Sequence, residues 1–190
     1  MAVETEVKLR LPQGAEHARA LLERHGFVVT FQRQLEADQT FDLPTRELRG
    51  SGRLLRLRTI GNQWTLTYKG PADHSIYKSR EEIETGLSDG AAFAHILERL
   101  GYQHSFAYEK FRTVFKAPGE QGIVTLDETP IGDFLELEGP GSWIDSTARK
   151  LGFTAADYVT SSYAALYDEY RRTQEANRQL VPRDMKFHRP

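Results

Sequence analysis

The sequence predicts an α+β fold: a closed antiparallel β-barrel that forms a tunnel, with helices packed on its outside. Seven or eight segments alternate between apolar and polar residues with the period of two that is typical of β-strands. Most of these segments carry apolar residues on one face and charges of both signs on the other. Two segments with helical periodicity interrupt the strands and two more follow them, which supplies the outer layer of helices.

A β-sandwich would also explain the alternation, but its polar faces point into water and give acids and bases no reason to cluster strand by strand. A closed barrel turns the apolar faces outward under the helices and the charged faces inward, where they line a wet tunnel. So many charges in one lumen are prohibitively costly unless they pair with each other, with metal ions and with a ligand. We therefore favour the barrel.

Composition is that of an ordinary globular protein, and we expect it in the cytoplasm. Of its 190 residues 39% are hydrophobic and 27% charged, and a net charge of −2 indicates neither nucleic acid nor a membrane as a partner. Cysteine is absent, which excludes disulfides and thiolate metal sites. The pattern of a signal peptide and any 18-residue apolar run are also missing. We expect one domain over residues 1–173, with a helical part at 142–173, and a charged tail over 174–190 that frays.

The first strand, Val3–Leu11, sets the pattern for the others. Glu4, Glu6, Lys8 and Arg10 share one of its faces, and apolar residues line the other. Two carboxylates two residues apart on a strand lie about 7 Å from each other. Both can therefore ligate one hard cation, or a close pair of them.

A helix, a polar strand and a loop come next. Apolar residues recur with helical spacing over Ala15–His25, and Gly26 suits the position after a helix. Gln34–Asp42 is polar and predicts an edge strand. Residues 43–52 combine proline, glycine and charge, which predicts a mobile loop that serves either as a lid or as a surface excursion.

Two alternating segments, Gly52–Ile60 and Gln63–Lys69, then form a predicted hairpin around a Gly-Asn turn. Its first strand carries Arg56 and Arg58 on one face, and its second strand ends in Lys69. This hairpin gives the lumen its first strongly basic wall.

The next predicted strand, Ile76–Thr85, mixes bases and acids on one face: Lys78, Arg80, Glu82 and Glu84. A helix follows to about Leu100, with Asp89 as its N-cap. The apolar stripe of this helix consists of Phe93, Ile96, Leu97 and Leu100.

Three more strands complete the set, and two helices follow. The strands are Phe106–Lys116 with Lys110 and Arg112, Gly122–Glu128 with Asp127, and Phe134–Glu138 with Glu136 and Glu138. The helices are predicted over Trp143–Leu151 and Ala155–Thr173. The second is rich in tyrosine, which favours packing onto the sheet over stacking on a ligand.

A lumen with many cations and carboxylates suits a polyphosphate held together with a divalent metal. Arginine and lysine bind phosphate oxygens through charge-assisted hydrogen bonds, and carboxylates bind Mg²⁺ or Mn²⁺. Phosphoryl transfer depends mainly on positioning and charge stabilisation, so it needs no serine, cysteine or histidine nucleophile. The usual nucleotide motifs, a P-loop or a Gly-x-Gly-x-x-Gly sequence, are absent.

Taken in order, these charged motifs resemble the CYTH superfamily, the triphosphate tunnel metalloenzymes. Within it the likeness is to the bacterial class IV adenylyl cyclase-like and thiamine triphosphatase-like branch, and it covers about residues 3–170. The motifs are Glu-x-Glu-x-Lys (Glu4, Glu6, Lys8), LRLR (Arg56, Arg58), TLTYKG (Lys69), REEIE (Arg80, Glu82, Glu84), EKFR (Lys110, Arg112) and LDETPIGDFLELEG (Asp127, Glu136, Glu138).

The resemblance implies an eight-stranded antiparallel tunnel that binds a linear triphosphate with Mg²⁺ or Mn²⁺. The metal ligands it implies are Glu4, Glu6, Glu136 and Glu138. The phosphate-binding residues it implies are Lys8, Arg56, Arg58, Lys69, Arg80, Lys110 and Arg112. Among these Lys8 and Arg58 are also expected to act in catalysis, with Asp127 orienting a water or a ribose hydroxyl. Glu82 and Glu84 are expected to support the wall as salt-bridge partners.

Three functions stay open at this point. The first is hydrolysis of inorganic triphosphate, thiamine triphosphate or a nucleoside triphosphate by metal-activated water. The second is an adenylyl cyclase that converts ATP to cyclic AMP and pyrophosphate. It needs a base pocket at one tunnel mouth, for which no motif is visible. The third is a non-catalytic polyphosphate- or nucleotide-binding module. Under any of these functions we expect the protein to be a monomer or a homodimer. We favour the hydrolase, because binding of the phosphates alone suffices for it.

Overall fold

A computed structural model describes residues 2–187 of the chain and contains the predicted closed barrel. Eight antiparallel strands follow each other around it in the order β1-β9-β8-β7-β2-β3-β4-β6, and β6 pairs again with β1. A two-residue strand, β5, lies beside β6 outside this ring. The predicted fold class is thereby confirmed.

The strands are β1 (Ala2–Arg10), β2 (Val28–Asp42), β3 (Leu54–Ile60), β4 (Gln63–Lys69), β5 (Asp73–His74), β6 (Lys78–Leu87), β7 (Gln103–Lys116), β8 (Ile123–Thr129) and β9 (Gly132–Glu138). The helices are α1 (Gly14–Arg24), α2 (Glu47–Gly50), α3 (Gly90–Arg99), α4 (Gly141–Lys150) and α5 (Tyr163–Ala176), with a 3-10 turn at Ala155–Asp157. Among residues 2–187, no helix combines the length and the apolar character that crossing a membrane requires.

The first strand closes the barrel because it changes neighbours halfway along its length. Its first half pairs with β6, where Glu4 lies opposite Arg80, and its second half pairs with β9, where Lys8 lies opposite Glu136. Beyond Glu6, the free edge of β1 is taken up by Val159, whose backbone N–H and C=O each bond to Lys8 at 2.9 Å. The N-terminal acidic motif therefore lies at the seam of the barrel.

The hydrophobic core lies outside the barrel wall, between the strands and the helices. Outward-facing residues of β1, β8 and β9, such as Leu9, Leu126 and Leu137, pack against Leu22 of α1 and Ile144 of α4. A second cluster lies under α3. A third cluster is the exception, because it joins α5 to Tyr108 of β7 and Phe134 of β9, which share the inward faces of their strands with Lys110 and Glu136. Because apolar residues fill the space outside the wall, the alternating charged residues must face inward.

The prediction of an edge strand at Gln34–Asp42 is wrong. This segment is the second part of the long strand β2, which pairs with β3 on one side and β7 on the other. Its polar residues do not face solvent at a sheet edge: Glu36 and Asp38 are 3% and 1% exposed and face the lumen side. They serve as counter-ions for arginines of the neighbouring strands.

The predicted mobile loop at residues 43–52 is instead tied down at its start. The buried carboxylate of Asp42 accepts hydrogen bonds from the N–H groups of Leu43, Leu48 and Arg49 at 2.8–3.0 Å. These bonds hold the short helix α2, and Arg49 bonds onward to Asp168 of α5 at 2.7 Å.

Helix α3 begins as predicted, since the Asp89 side chain accepts from the N–H of Ala92 at 2.9 Å. Its apolar stripe is only partly buried: Leu97 is 5% exposed, but Ile96 and Leu100 are 52% and 66% exposed. The helix meets the barrel along a narrow line around Trp64, where a side chain at Gly90 would come within 2.2 Å of the indole.

The C-terminal part differs from the single long helix predicted over Ala155–Thr173. The 3-10 turn begins with a Thr154–Asp157 capping box, residues after Tyr158 run extended beside β1, and α5 starts only after Ser162. The following tail returns to the barrel: Met185 is buried, and its backbone bonds to Ala107 and Glu109 of β7. The tail is thus bonded to β7 at Met185, residues 188–190 lie outside the described part of the chain, and fraying of the tail stays a prediction.

Candidate functional site

A charged cavity of about 440 Å³ fills the inside of the barrel. Its size lies within the range of small-molecule sites. The cations that line it are Lys8, Arg56, Arg58, Lys69, Lys78, Arg80, Lys110 and Arg112. The acids that line it are Glu4, Glu6, Glu82, Glu84, Glu136 and Glu138.

These charges divide between two halves of the wall. We call β8, β7, β2 and β3 the cationic half, and β4, β6, β1 and β9 the acidic half. Every lining charge of the cationic half is an arginine or a lysine, whereas all of the lining acids belong to the acidic half. The two halves face each other across the cavity.

In the cationic half, Arg58 is held rigidly by two acids of β2. Its Nε and Nη2 donate to the two carboxylate oxygens of Asp38 at 2.8 and 3.2 Å, and its Nη1 lies 3.0 Å from Glu36. Arg56 lies 3.5 Å from the same Asp38. Such bidentate pairing fixes the orientation of a guanidinium group as well as its position.

Asp127 holds the other two cations of this half. Its carboxylate accepts from Arg112 Nε and Nη2, both at 2.6 Å, and from Lys110 Nζ at 2.8 Å. Arg112 also donates to Glu136 of the neighbouring half. Asp127 is fully buried and does not line the cavity, so the structure does not bring it to the point where a water or ribose hydroxyl would react.

The buried acids behind the cationic half are fully committed to their partners. Burial alone would raise their pKa values, but Arg58 and Arg56 hold the pKa of Asp38 below its usual range. In the same way, Arg112, Lys110 and Arg58 outweigh burial and lower the pKa of Glu36. These acids stay ionised, and the cavity meets only the cations in front of them.

In the acidic half, Lys69 lies between two carboxylates. Its Nζ is 2.6 Å from Glu4 and 2.8 Å from Glu82. Burial, together with a hydrogen bond to Glu4, raises the pKa of Glu82 to about 7. A single ammonium group therefore compensates two acids here only incompletely.

Glu6, Lys8 and Lys78 form a second group at the seam of the barrel. Glu6 accepts from Lys78 at 2.7 Å and from Lys8 at 3.2 Å, and Lys8 is also 3.2 Å from Glu136. Despite burial, Lys8 and Lys78 lower the pKa of Glu6 well below its usual range. Burial and the nearby charge of Lys8 lower the pKa of Lys78 to about 8.

Glu138 lies opposite Glu6 on the neighbouring strand and has no ion pair within the part of the chain that the structure describes. Burial and the negative charges of Glu4, Glu6 and Glu136 raise its pKa to about 7. Excess negative charge thus accumulates at the end of the acidic half where β1 meets β9.

A divalent cation would neutralise this excess negative charge. Four carboxylates, from Glu4, Glu6, Glu136 and Glu138, face the cavity from two neighbouring strands, and oxygen donors are what Mg²⁺ and Mn²⁺ prefer. Over residues 2–187 no three of the acids already stand in a metal-ligating group. Lysine partners occupy Glu4 and Glu6, so ligation would require these ion pairs to open.

Sequence reasoning missed several groups of this site. Glu36 and Asp38 share a face with Thr40 on β2; the period of two shows this shared face, but it does not show that the face lies inside the barrel. Tyr108 shares its face of β7 with Lys110 and Arg112, so the period of two places it in the lumen as well. Tyr163 also lines the cavity but has no comparable signal, because α5 reaches the lumen from outside the barrel. Arg10, in contrast, was expected in the lumen but lies outside the cavity, over the ring of Phe134.

All residues expected to bind phosphate or metal line this one cavity, and so do the supporting acids Glu82 and Glu84. Glu84, half-exposed at 49%, accepts from Arg56 and from the Thr67 hydroxyl. Arg80 is the least satisfied cation, since its Nε is buried without a hydrogen bond and its acid contact, to Glu4, measures 3.8 Å.

Comparison with known proteins bears on both fold and family. Residues 2–163 match the CYTH domain family. The chain is similar to a protein of Methanocaldococcus jannaschii named "Putative adenylate cyclase", with 29% identity over 136 residues that cover 72% of this chain and 76% of the relative.

Solved structures show the same fold. A "putative adenylate cyclase" from Vibrio parahaemolyticus superposes with a TM-score of 0.76 at 22% identity, covering 87% of this chain and 97% of that one. A Hippeastrum protein described as a "putative adenylyl cyclase" that "reveals a dominant triphophatase activity" superposes with a TM-score of 0.62 at 17% identity, covering 94% and 98%.

Proposed function

Because this chain belongs to the CYTH family, and because one half of its lumen is lined by cations without acids, we propose that it is a divalent-metal-dependent enzyme that hydrolyses a linear triphosphate. The substrate class includes inorganic triphosphate, thiamine triphosphate and ATP. One observation carries the proposal above all others: the acids of the cationic half lie behind their cations and not in the cavity.

That arrangement suits a chain of phosphate groups. Arg56, Arg58, Lys110 and Arg112 keep their positive charge toward the lumen while buried acids fix their orientation. Guanidinium groups held in this way are prepared for bidentate contacts with phosphate oxygens. We assign these four side chains to the substrate phosphates, with Arg58 and Arg112 each fixed by bidentate hydrogen bonds to a buried aspartate.

The acidic half contributes fewer free cations. Arg80 is available because its Nε has no hydrogen-bond partner in the described chain. Lys8 and Lys69 bridge acid pairs, and each can turn toward a phosphate once a divalent cation takes over those acids. We assign Lys8, Lys69 and Arg80 to phosphate binding on this side.

Glu4, Glu6, Glu136 and Glu138 would hold the metal. When bound, Mg²⁺ or Mn²⁺ supplies charge neutralisation at the phosphate oxygens and activation of water. The chain's own residues bind the triphosphate, align it along the cationic half and exclude bulk water from the lumen. Asp127 acts as a positioning residue for Lys110 and Arg112, in place of the water-orienting role expected from the sequence.

The alternative is an adenylyl cyclase, which the name of the Methanocaldococcus relative favours. A cyclase must hold a nucleoside as well as a triphosphate. Within the described lining, the apolar or aromatic groups are Val3, Leu54, Tyr108, Tyr163 and Ala164. Most of the remaining lining is charged, which favours recognition of phosphate over recognition of a base.

A product assay tests the proposal. Purified protein is given Mg²⁺ or Mn²⁺ with inorganic triphosphate and with ATP in separate reactions. We expect orthophosphate from triphosphate, with no cyclic AMP from ATP. A parallel preparation of Glu4→Gln, whose carboxylate faces the lumen, should lose turnover and thereby exclude a contaminating phosphatase.

Two other outcomes would contradict the hydrolase. Cyclic AMP and pyrophosphate from ATP would identify a cyclase. No turnover of either compound, combined with tight binding of triphosphate, would identify a non-catalytic binding module.

A further inference from the structure

Tyr163 enters the lumen from outside the barrel. It is the first residue of α5, is only 6% exposed and lines the cavity. The chain fixes it from both sides, since Val159 bonds to the Lys8 backbone and the Ser162 side chain caps the helix by accepting from Ala165 N–H. A residue held so firmly at a reaction cavity has a defined position toward its neighbours.

The hydroxyl of Tyr163 completes the hydrogen bonding of Asp127. It donates to Asp127 Oδ2 at 2.7 Å, and the same oxygen accepts from Lys110 at 2.8 Å and Arg112 at 2.6 Å. Burial and the charge of Asp127 raise the pKa of Tyr163 well above its usual value. The hydroxyl therefore remains a neutral donor and adds no charge to the network.

The ring of Tyr163 contacts two further cations. Lys8 Nζ and Lys110 Nζ lie 5.3 and 5.2 Å from its centroid, within the range of cation–π attraction. These lysines come from β1 and β7, which are not neighbours in the barrel. Phe134 supports the ring in an edge-on contact, with the centroids 5.6 Å apart.

We infer that Tyr163 is a positioning residue for the substrate phosphates. Its hydroxyl orients Asp127 and through it Lys110 and Arg112, and its ring sets the places of the Lys8 and Lys110 ammonium groups. The inference rests on the proposed function, and it assigns to α5 a part in substrate binding.

The matched pair Tyr163→Phe and Tyr167→Phe tests it. Tyr167 lies one turn further along α5, is 3% exposed and donates its hydroxyl to the carbonyls of Pro182 and Asp184, away from the lumen. Each substitution removes one buried hydroxyl and keeps the ring. Only Tyr163→Phe should weaken binding of inorganic triphosphate in calorimetry, by about tenfold, the typical effect of a hydrogen bond in a charged network.

In turnover, Tyr163→Phe should raise KM by a similar factor and change kcat by less than about threefold, because the affected cations bind the ground state and the transition state alike. A purely structural role would lower the melting temperature of both variants without this difference in KM. Equal affinity of the two variants for triphosphate would overturn the inference while leaving the proposed function intact.

A measurement on the wild type keeps the inference testable if Tyr163→Phe does not fold. The ring should shift the NMR signals of the Lys8 and Lys110 ε-methylene groups upfield relative to the exposed Lys186, and triphosphate should move them further. Unshifted signals that do not respond to triphosphate would overturn it. A wild type that binds no triphosphate at all would overturn the proposed function, and this inference with it.

Discussion

The two halves of the barrel wall contain similar charged residues but arrange them in different ways. In the cationic half, three buried acids stand behind four cations, and every acid has close partners. In the acidic half, the acids themselves line the cavity, and two of them, Glu82 and Glu138, have pKa values raised to about 7. The buried acids of the cationic half are therefore neutralised by cations of the protein itself. The acids of the acidic half are not fully neutralised, and a bound divalent cation would stabilise them.

This difference shows that burial alone does not tell whether a charged side chain stabilises the protein. The charges of its neighbours decide it. A buried acid between two guanidinium groups stabilises the wall, and a half-buried acid among other acids destabilises the protein without a cation. Removing the charge of an acid that is paired with buried cations, such as Asp127, should therefore lower stability, whereas removing the charge of the unpaired Glu138 should raise it.

The largest effect is expected from Asp127→Asn in the cationic half. The substitution leaves Lys110 and Arg112 buried with one charged partner fewer, so we expect the free energy of unfolding to fall by about 3 kcal/mol. Urea unfolding at pH 7 measures it. A loss below about 1 kcal/mol would mean that the cationic half does not depend on its buried acids.

The next effect concerns substrate. Arg58→Lys removes the bidentate bonds to Asp38, and we expect it to raise the Kd for inorganic triphosphate by about 10- to 30-fold. Arg80→Lys is the matched change in the acidic half, where the guanidinium has only a loose 3.8 Å contact with Glu4. Calorimetry should show a smaller increase, of about threefold, for Arg80→Lys, and the reverse order would invert our assignment of the two halves.

Glu138→Gln should act in the opposite direction to Asp127→Asn. Above pH 7 the folded wild type must ionise Glu138, whose pKa is raised to about 7, while the unfolded chain ionises it near its ordinary value. Through this group the wild type loses stability as pH rises from about 4.5 to about 7, and the glutamine variant lacks this contribution. After allowing for partial exposure, we expect the metal-free variant to be more stable by about 1 to 2 kcal/mol at pH 8.

Urea unfolding with a chelator at pH 8 and pH 4.5 provides the comparison, and the gain should disappear at the lower pH. Glu23→Gln, on the exposed side of α1, serves as the control and should show no gain. Equal stability of Glu138→Gln and wild type at pH 8 would mean that repulsion from the neighbouring carboxylates and burial do not destabilise ionised Glu138.

The smallest effect is expected outside the barrel. Asp168 pairs with Arg49 at 2.7 Å, but the two side chains are 40% and 66% exposed. Asp168→Asn should change the free energy of unfolding by less than about 0.5 kcal/mol. A larger change in thermal unfolding would show that even an exposed ion pair contributes measurably to the stability of this protein.

Much of this barrel follows from its sequence because the period of two is a local property of each strand. The alternation shows which side chains share a face of a strand, as for Glu4, Glu6 and Lys8 or for Arg56 and Arg58. The apolar residues between them indicate which face packs against the helices. Closure of the barrel follows from the need to pair so many inward charges.

What escaped prediction depends on contacts between distant parts of the chain. Glu36 and Asp38 could not be separated from an exposed edge, because only the neighbouring β3 and β7 make their strand central. Glu4 and Glu6 look alike in sequence, since both alternate with apolar or neutral residues on the first strand. Glu6, however, is 6% exposed and bonded to Lys8 and Lys78, so Glu6→Gln should also cost stability.

The seam formed by β1 has a consequence for how this chain reaches its folded state. The strand that appears first in the sequence is the one that joins β6 to β9, and its last open edge is covered by Val159. Contacts so distant in sequence are slow to form, since a long loop must close before they repay its entropy. We therefore expect the lumen to close late in folding, and until β1 joins its neighbours we expect Glu4 and Glu6 to stay hydrated, without Lys69 and Lys78 as partners.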